Sequence, residues 1–109
     1  LQVFDALGKF IAEWKGPAIG RPYGVSVAED GHVFIIDGGD QSTIRPDHSK
    51  AVELDAGGNV VDSFGSFGTA PGQFQLGHDI AVAHDGSVYV AEGKGRRVQK
   101  FIRRVGTSK

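Results

Sequence analysis

Two stretches of this chain repeat each other, and a chain written in duplicate units must fold by stacking them. Asp5-Ala-Leu-Gly-Lys-Phe-Ile-Ala-Glu-Trp14 aligns without a gap on Asp55-Ala-Gly-Gly-Asn-Val-Val-Asp-Ser-Phe64, an offset of 50 residues. Tyr23-Gly-Val-Ser-Val-Ala-Glu-Asp-Gly-His-Val-Phe-Ile-Ile-Asp37 aligns on His78-Asp-Ile-Ala-Val-Ala-His-Asp-Gly-Ser-Val-Tyr-Val-Ala-Glu92, an offset of 55. A weaker match joins Leu1–Phe4, Ala51–Leu54 and Val98–Phe101. Periods of about 20–50 residues mark arrays in which no unit buries its apolar face alone.

Each unit reads as strands. Gly24–Ala28 and Ile80–Ala83 are short apolar runs, suited to an inner strand buried on both faces. Asp30-Gly31 and Asp85-Gly86 follow, and Asp-Gly signals a two-residue hairpin turn. Val33–Ile36 and Val88–Ala91 supply the second strand, and Lys50–Leu54 and Arg97–Ile102 the third. Leu7-Gly8 and Gly57-Gly58 turn into the fourth strand, Phe10–Trp14 or Val60–Phe64, whose terminal Trp14 and Phe64 are expected to wedge between neighbouring sheets. No segment of useful length has helical periodicity. The reading is all-β, with four-stranded antiparallel sheets arrayed as β-propeller blades. Residues 1–14 end one blade, 22–64 form a complete one and 75–104 form most of a last one. About two blades cannot close a ring, so the flanks must be covered by further chain or by other copies. Opening on Leu1 inside a strand, the sequence is expected to be part of a longer chain.

Composition narrows the partners. Lys plus Arg is 12 against 13 Asp plus Glu, a net charge of -1, so no general nucleic-acid or membrane surface is expected. No apolar run approaches the roughly 20 residues that span a bilayer, and the first residues do not read as a signal peptide. The absence of cysteine excludes disulfides and thiolate metal sites.

The segments Leu1-Gln-Val-Phe-Asp5, Gly8-Lys-Phe-Ile-Ala-Glu-Trp14, Phe64-Gly65 with Ala70-Pro-Gly-Gln-Phe74, His78-Asp-Ile-Ala-Val82 and Arg97-Val-Gln-Lys-Phe101 resemble NHL repeats. They are most similar to those of peptidyl-α-hydroxyglycine α-amidating lyases and their bacterial relatives. The resemblance implies a six-bladed propeller, with this chain as its C-terminal third and a fourth strand for the last blade supplied by the N-terminus of the full chain. It also implies a zinc ion held by three histidines from alternate blades, and cleavage of a C-terminal hydroxyglycine into a peptide amide and glyoxylate. His78 matches the last of those ligands and Asp79 the acidic residue beside it. The family's catalytic arginine and tyrosine have no convincing match, and Tyr23 stands where His78 would recur. Three copies around an axis would bring three His78 imidazoles together, although Leu1–Asp5 and Val98–Ile102 are both third strands and would overlap.

Other groups invite weighing. Asp37, Asp40 and Glu92 end strands and could offer Ca²⁺ or a substrate hard oxygen ligands, although solvated carboxylates are commoner there. Residues 38–49 form a longer connection than residues 93–96 and contain Asp47-His48, a possible metal pair or a variable insertion. Lys94, Arg96, Arg97, Lys100, Arg103 and Arg104 form a basic cluster that suits either an RNA face or a solvated edge. Asp79 suits either a catalytic base or a backbone cap. The alternative to an enzyme is therefore a non-catalytic NHL propeller that binds a peptide, a protein or RNA.

Overall fold

The computed structural model describes residues 1–39 and 49–102, and they are all-β, with no helix among them. β1 (Gln2–Phe4) pairs with β2 (Phe10–Glu13). A four-stranded antiparallel sheet follows, in the order β3 (Pro22–Val27), β4 (Val33–Asp37), β5 (Lys50–Leu54) and β6 (Val60–Phe64). β7 (Ser66–Phe67) and β8 (Gln73–Phe74) make a short parallel bridge. The last sheet is three-stranded, β9 (Gly77–Val82), β10 (Val88–Glu92) and β11 (Arg97–Phe101), with β10 in the middle. All these sheets are open: none closes into a barrel among the described residues.

Among the described residues one turn is used four times. In the connection after β3, Gly31 N–H donates to Ala28 O (3.0 Å) and Ala28 N–H to His32 O (2.8 Å). The same pair of bonds closes Ala83–Ser87, Asp55–Asn59 and Asp5–Lys9. This is a three-residue loop ending in a left-handed glycine, not the two-residue turn expected from Asp-Gly. Gly31, Gly86, Gly58 and Gly8 carry φ of 90°, 91°, 88° and 87°. An aspartate tightens each loop: Asp30 accepts from His32 N–H and Asp85 from Ser87 N–H, both at 2.9 Å. Asp5 and Asp55 each accept two backbone N–H groups. The Ser87 amide is the chief reason the Asp85 carboxyl titrates below its usual range.

The middle of the four-stranded sheet is covered on both faces. On one face, Phe34, Ile36 and Ala51 pack with Phe74, Ile80, Val88 and Val90 of the last sheet. Phe64 lies against Phe101, ring centres 4.8 Å apart. On the other face, Ile35, Val52 and Leu54 pack with Leu1 and Trp14 of the N-terminal hairpin. Gly58 is the seat of Trp14, since a Cβ there would lie 2.6 Å from the indole. The inner strand departs from expectation on this second face. Val25 is 51% and Val27 65% exposed, because the β1–β2 hairpin covers the middle of the sheet and stops short of β3.

His32 ties the end of β4 to β5. Its Nδ1 donates to Glu53 Oε2 at 2.6 Å, and Glu53 is buried. That hydrogen bond is the main cause holding the imidazole pKa above 6.5. A raised folded-state pKa stabilises the fold fully below the unfolded value and stops doing so as pH rises through the folded one. The His32 ring carbons, followed by NMR, should therefore titrate with a midpoint above 6.5. Stability in urea should decline through the same interval, and Glu53→Gln should remove most of that pH dependence.

Candidate functional site at a paired bulge

β3 and β9 begin alike. Pro22 pairs with Asp37 and Gly24 with Ile36, so Tyr23 is an extra residue in the ladder. Gly77 pairs with Glu92 and Asp79 with Ala91, so His78 is the corresponding extra residue in the last sheet. A bulged residue is released from strand pairing and its side chain is re-aimed. The two released rings meet edge to face, centroids 5.5 Å apart and planes at 72°. Tyr23 is half-buried, with Gly38 against it: a Cβ at Gly38 would lie 2.6 Å from the phenol ring. His78 is exposed.

Asp79 is exposed beside His78, and its Oδ1 accepts the N–H of Ile80 at 2.9 Å. The inner strands approach closely here. A Cβ on Gly24 would lie 2.7 Å from Asp79 Oδ1 and 2.8 Å from its Cα. Further along, Val82 N–H donates to Ser26 Oγ at 3.1 Å. Gly24 thus brings β3 against β9, and this contact fixes where Asp79 and His78 stand.

The carboxylates at the strand ends are not solvated. Glu92 is buried, and its oxygens accept from Gln75 N–H (2.8 Å), Gln99 Nε2 (2.8 Å) and Arg97 Nε (2.5 Å). Arg97 also donates to the carbonyls of Ala70 and Gln73. Asp37, the counterpart of Glu92, is 1% exposed, and its Oδ1 accepts from Arg21 and Gly39 N–H. No hydrogen-bond donor reaches its Oδ2 among the described residues. Each carboxylate therefore ties the connection before an inner strand to the end of the second strand. The expectation that Asp37 and Glu92 are solvated is corrected: burial and hydrogen-bond donors hold them inside. The basic cluster is divided too, since Arg97 is neutralised by Glu92 and Lys100 lies over the Tyr89 ring at 5.7 Å.

No three His, Cys, Asp or Glu side chains gather as a metal group among the described residues. His32 is bound to Glu53 and His84 to Glu29, both in turns at the opposite end of the strands from His78. Asp40, Asp47, His48, Arg103 and Arg104 lie outside the described residues. The structure brings His78 and Asp79 together with Tyr23. The bulge was not foreseen, because it leaves the repeat spacing unchanged. Compared with protein-family models and with curated proteins, the chain has no match.

Proposed function

We propose that this chain supplies adjoining blades of an NHL-type six-bladed β-propeller with the chemistry of a peptidyl-hydroxyglycine amidating lyase, in which His78 is one of three zinc ligands. The supporting observation is the bulge. It releases one residue at the start of each inner strand, and in the last sheet that residue is an exposed imidazole with a carboxylate next in sequence. Face-to-face sheets whose inner strands touch at Gly24–Asp79 fit neighbouring blades around an axis.

This chain's residues fit a zinc site in part. His78 offers one imidazole nitrogen, and the other two ligands must come from outside the described residues. When bound, zinc would polarise the substrate hydroxyl or lower the pKa of a bound water to about 7. Asp79 would take a proton beside it, and Tyr23 would give the substrate an aromatic wall next to His78. A peptide with a C-terminal hydroxyglycine would be the substrate.

The protein carrying this sequence is expected to hold stoichiometric zinc by elemental analysis and to release glyoxylate from a hydroxyglycine peptide. His78→Ala should lose the metal and at least about 100-fold in activity, more than loss of an outer partner of a ligand usually costs. A metal-free protein, or a variant with full activity, would reject the lyase reading. The second reading is a non-catalytic scaffold for a peptide or protein, favoured by Tyr23 occupying the slot of His78. The mass in solution tests whether copies of the chain complete the ring: a monomer excludes a trimer with three His78 side chains.

A further inference from the structure

The connection after β10 is clamped in place. Gly93 N–H donates to Leu76 O (2.8 Å) and Gly95 N–H to Gln75 O (3.2 Å), while Gln75 N–H donates to the buried Glu92. Gly95 is bare because a Cβ there would lie 2.5 Å from Glu92 Oε1. Leu76 and Arg96 carry φ of 58° and 54°, and among the described residues no other residue except glycine has a positive φ. Left-handed backbone is costly for a residue with a Cβ, and such strain gathers where a side chain has a task. Glycine would sit more easily at position 96, and burial does not ask for arginine there, because Arg96 is exposed.

The clamp sets this turn at the mouth, the end of the inner strands where Tyr23 and His78 stand. Leu76 lies two residues before His78. Its counterpart in the other repeat is Arg21, two residues before Tyr23, and Gly38 N–H donates to Arg21 O at 3.1 Å in the same way. Arg21, Lys94 and Arg96 thus flank the Tyr23–His78 ring pair from both sheets. All three are exposed, and none has an ion pair or a side-chain hydrogen bond among the described residues. Asp79 is exposed beside them, whereas Asp37 and Glu92 are buried. At the opposite end of the inner strands the turns carry Glu29, Asp30, Asp55 and Asp85. The charges are therefore separated along the strands, and the resulting field draws anions toward the mouth.

We propose that Arg21, Lys94 and Arg96 form a rim that receives an acidic peptide. Aspartate or glutamate side chains of an extended segment meet the three cations while the segment crosses the Tyr23–His78 pair. Arginine can hold a carboxylate by two parallel N–H bonds, which adds direction to the attraction. Three cations are few for a nucleic-acid face, which carries a patch or stripe of Lys and Arg. Arg97 and Lys100 add nothing to the rim, because Glu92 and the Tyr89 ring engage them. The inference rests on the peptide-binding side of both readings above and needs neither zinc nor catalysis at His78.

The probe is a short fluorescent peptide of alternating glutamate and alanine. It is titrated into the protein carrying this sequence, with a chelator present and anisotropy as readout. Saturable binding is expected, tighter by more than about tenfold than that of the glutamine counterpart, and weakened by salt. Arg21→Gln and Lys94→Gln should each weaken it about two- to fourfold, as loss of exposed ion pairs does. Arg96→Gly should weaken binding as much and yet raise the midpoint of urea unfolding, because glycine adopts the left-handed turn without strain. Equal binding of the glutamate and glutamine peptides, or undiminished binding in all three variants, overturns the proposal. So does an Arg96→Gly protein less stable than wild type, since Arg96 would then serve the turn itself. Tighter binding of an oligouridylate of equal charge also overturns it, because a nucleic acid would then own the rim. Glyoxylate release reports on the lyase reading alone.

Discussion

Replacing Phe74 with alanine is expected to lower the free energy of unfolding by about 3–5 kcal/mol. The ring is fully buried between the four-stranded sheet and the last sheet. It meets Phe101 edge to face at 5.6 Å, and Gly65 is bare because any Cβ there would collide with it. Truncation removes apolar area and leaves a void at the junction of the two sheets, where rigid ladders on either side limit collapse. Total stabilities are typically about 5–15 kcal/mol, so the variant should lose a large fraction of its own. The midpoint of urea unfolding reads this directly. A loss below about 1 kcal/mol would mean that the sheets close over the gap, and that Phe74 is not the pin between them.

Glu92→Ala should cost a similar amount, about 3–5 kcal/mol, for a different reason. Its carboxylate is buried and answers three donors, of which Arg97 is a half-buried cation. Removing it leaves that charge without its counter-ion and the Gln75 N–H without its acceptor, while Arg97 and Gln99 keep only their carbonyl partners. Glu92→Gln is the sharper variant: it keeps the volume and removes the charge. It should fall between wild type and alanine. The pH dependence carries a matching signature. Burial pushes the Glu92 carboxyl up, but the Gln75 amide, Gln99 and Arg97 together outweigh it and hold its pKa below the usual value. A depressed folded-state pKa stabilises the fold above the unfolded pKa and ceases to do so as pH falls through the folded one. Acid unfolding of the wild type should therefore show this loss, and Glu92→Gln should flatten it.

The strand plan was legible because its signals are local. Alternating apolar runs and the Asp-Gly pairs placed β4, β5, β6 and β10 within a residue or so. What was missed depends on pairing across strands. Tyr23 and His78 sit at one spacing whether or not they bulge, so only the ladder shows that they leave it. Asp-Gly announced a turn but with the wrong length, two residues where the loop has three, since the extra residue in each loop is set by the hydrogen bond from Ala28 to His32 and its counterparts. Glu92 resembled a solvated strand end, and Arg97 one of a basic cluster. The hairpin register puts them opposite each other, and that register could have been drawn from the sequence once the turn was assumed. Val25 and Val27 read as buried because a strand's own residues cannot say whether its neighbour is present.

A bulged residue stands outside the register of the ladder, so its identity is set by what its side chain packs on and not by the residue opposite it. The slot at the start of each inner strand is such a place, with a phenol in one sheet and an imidazole in the next. Repeated units can in this way keep matching inner strands and still present unlike groups at their mouths.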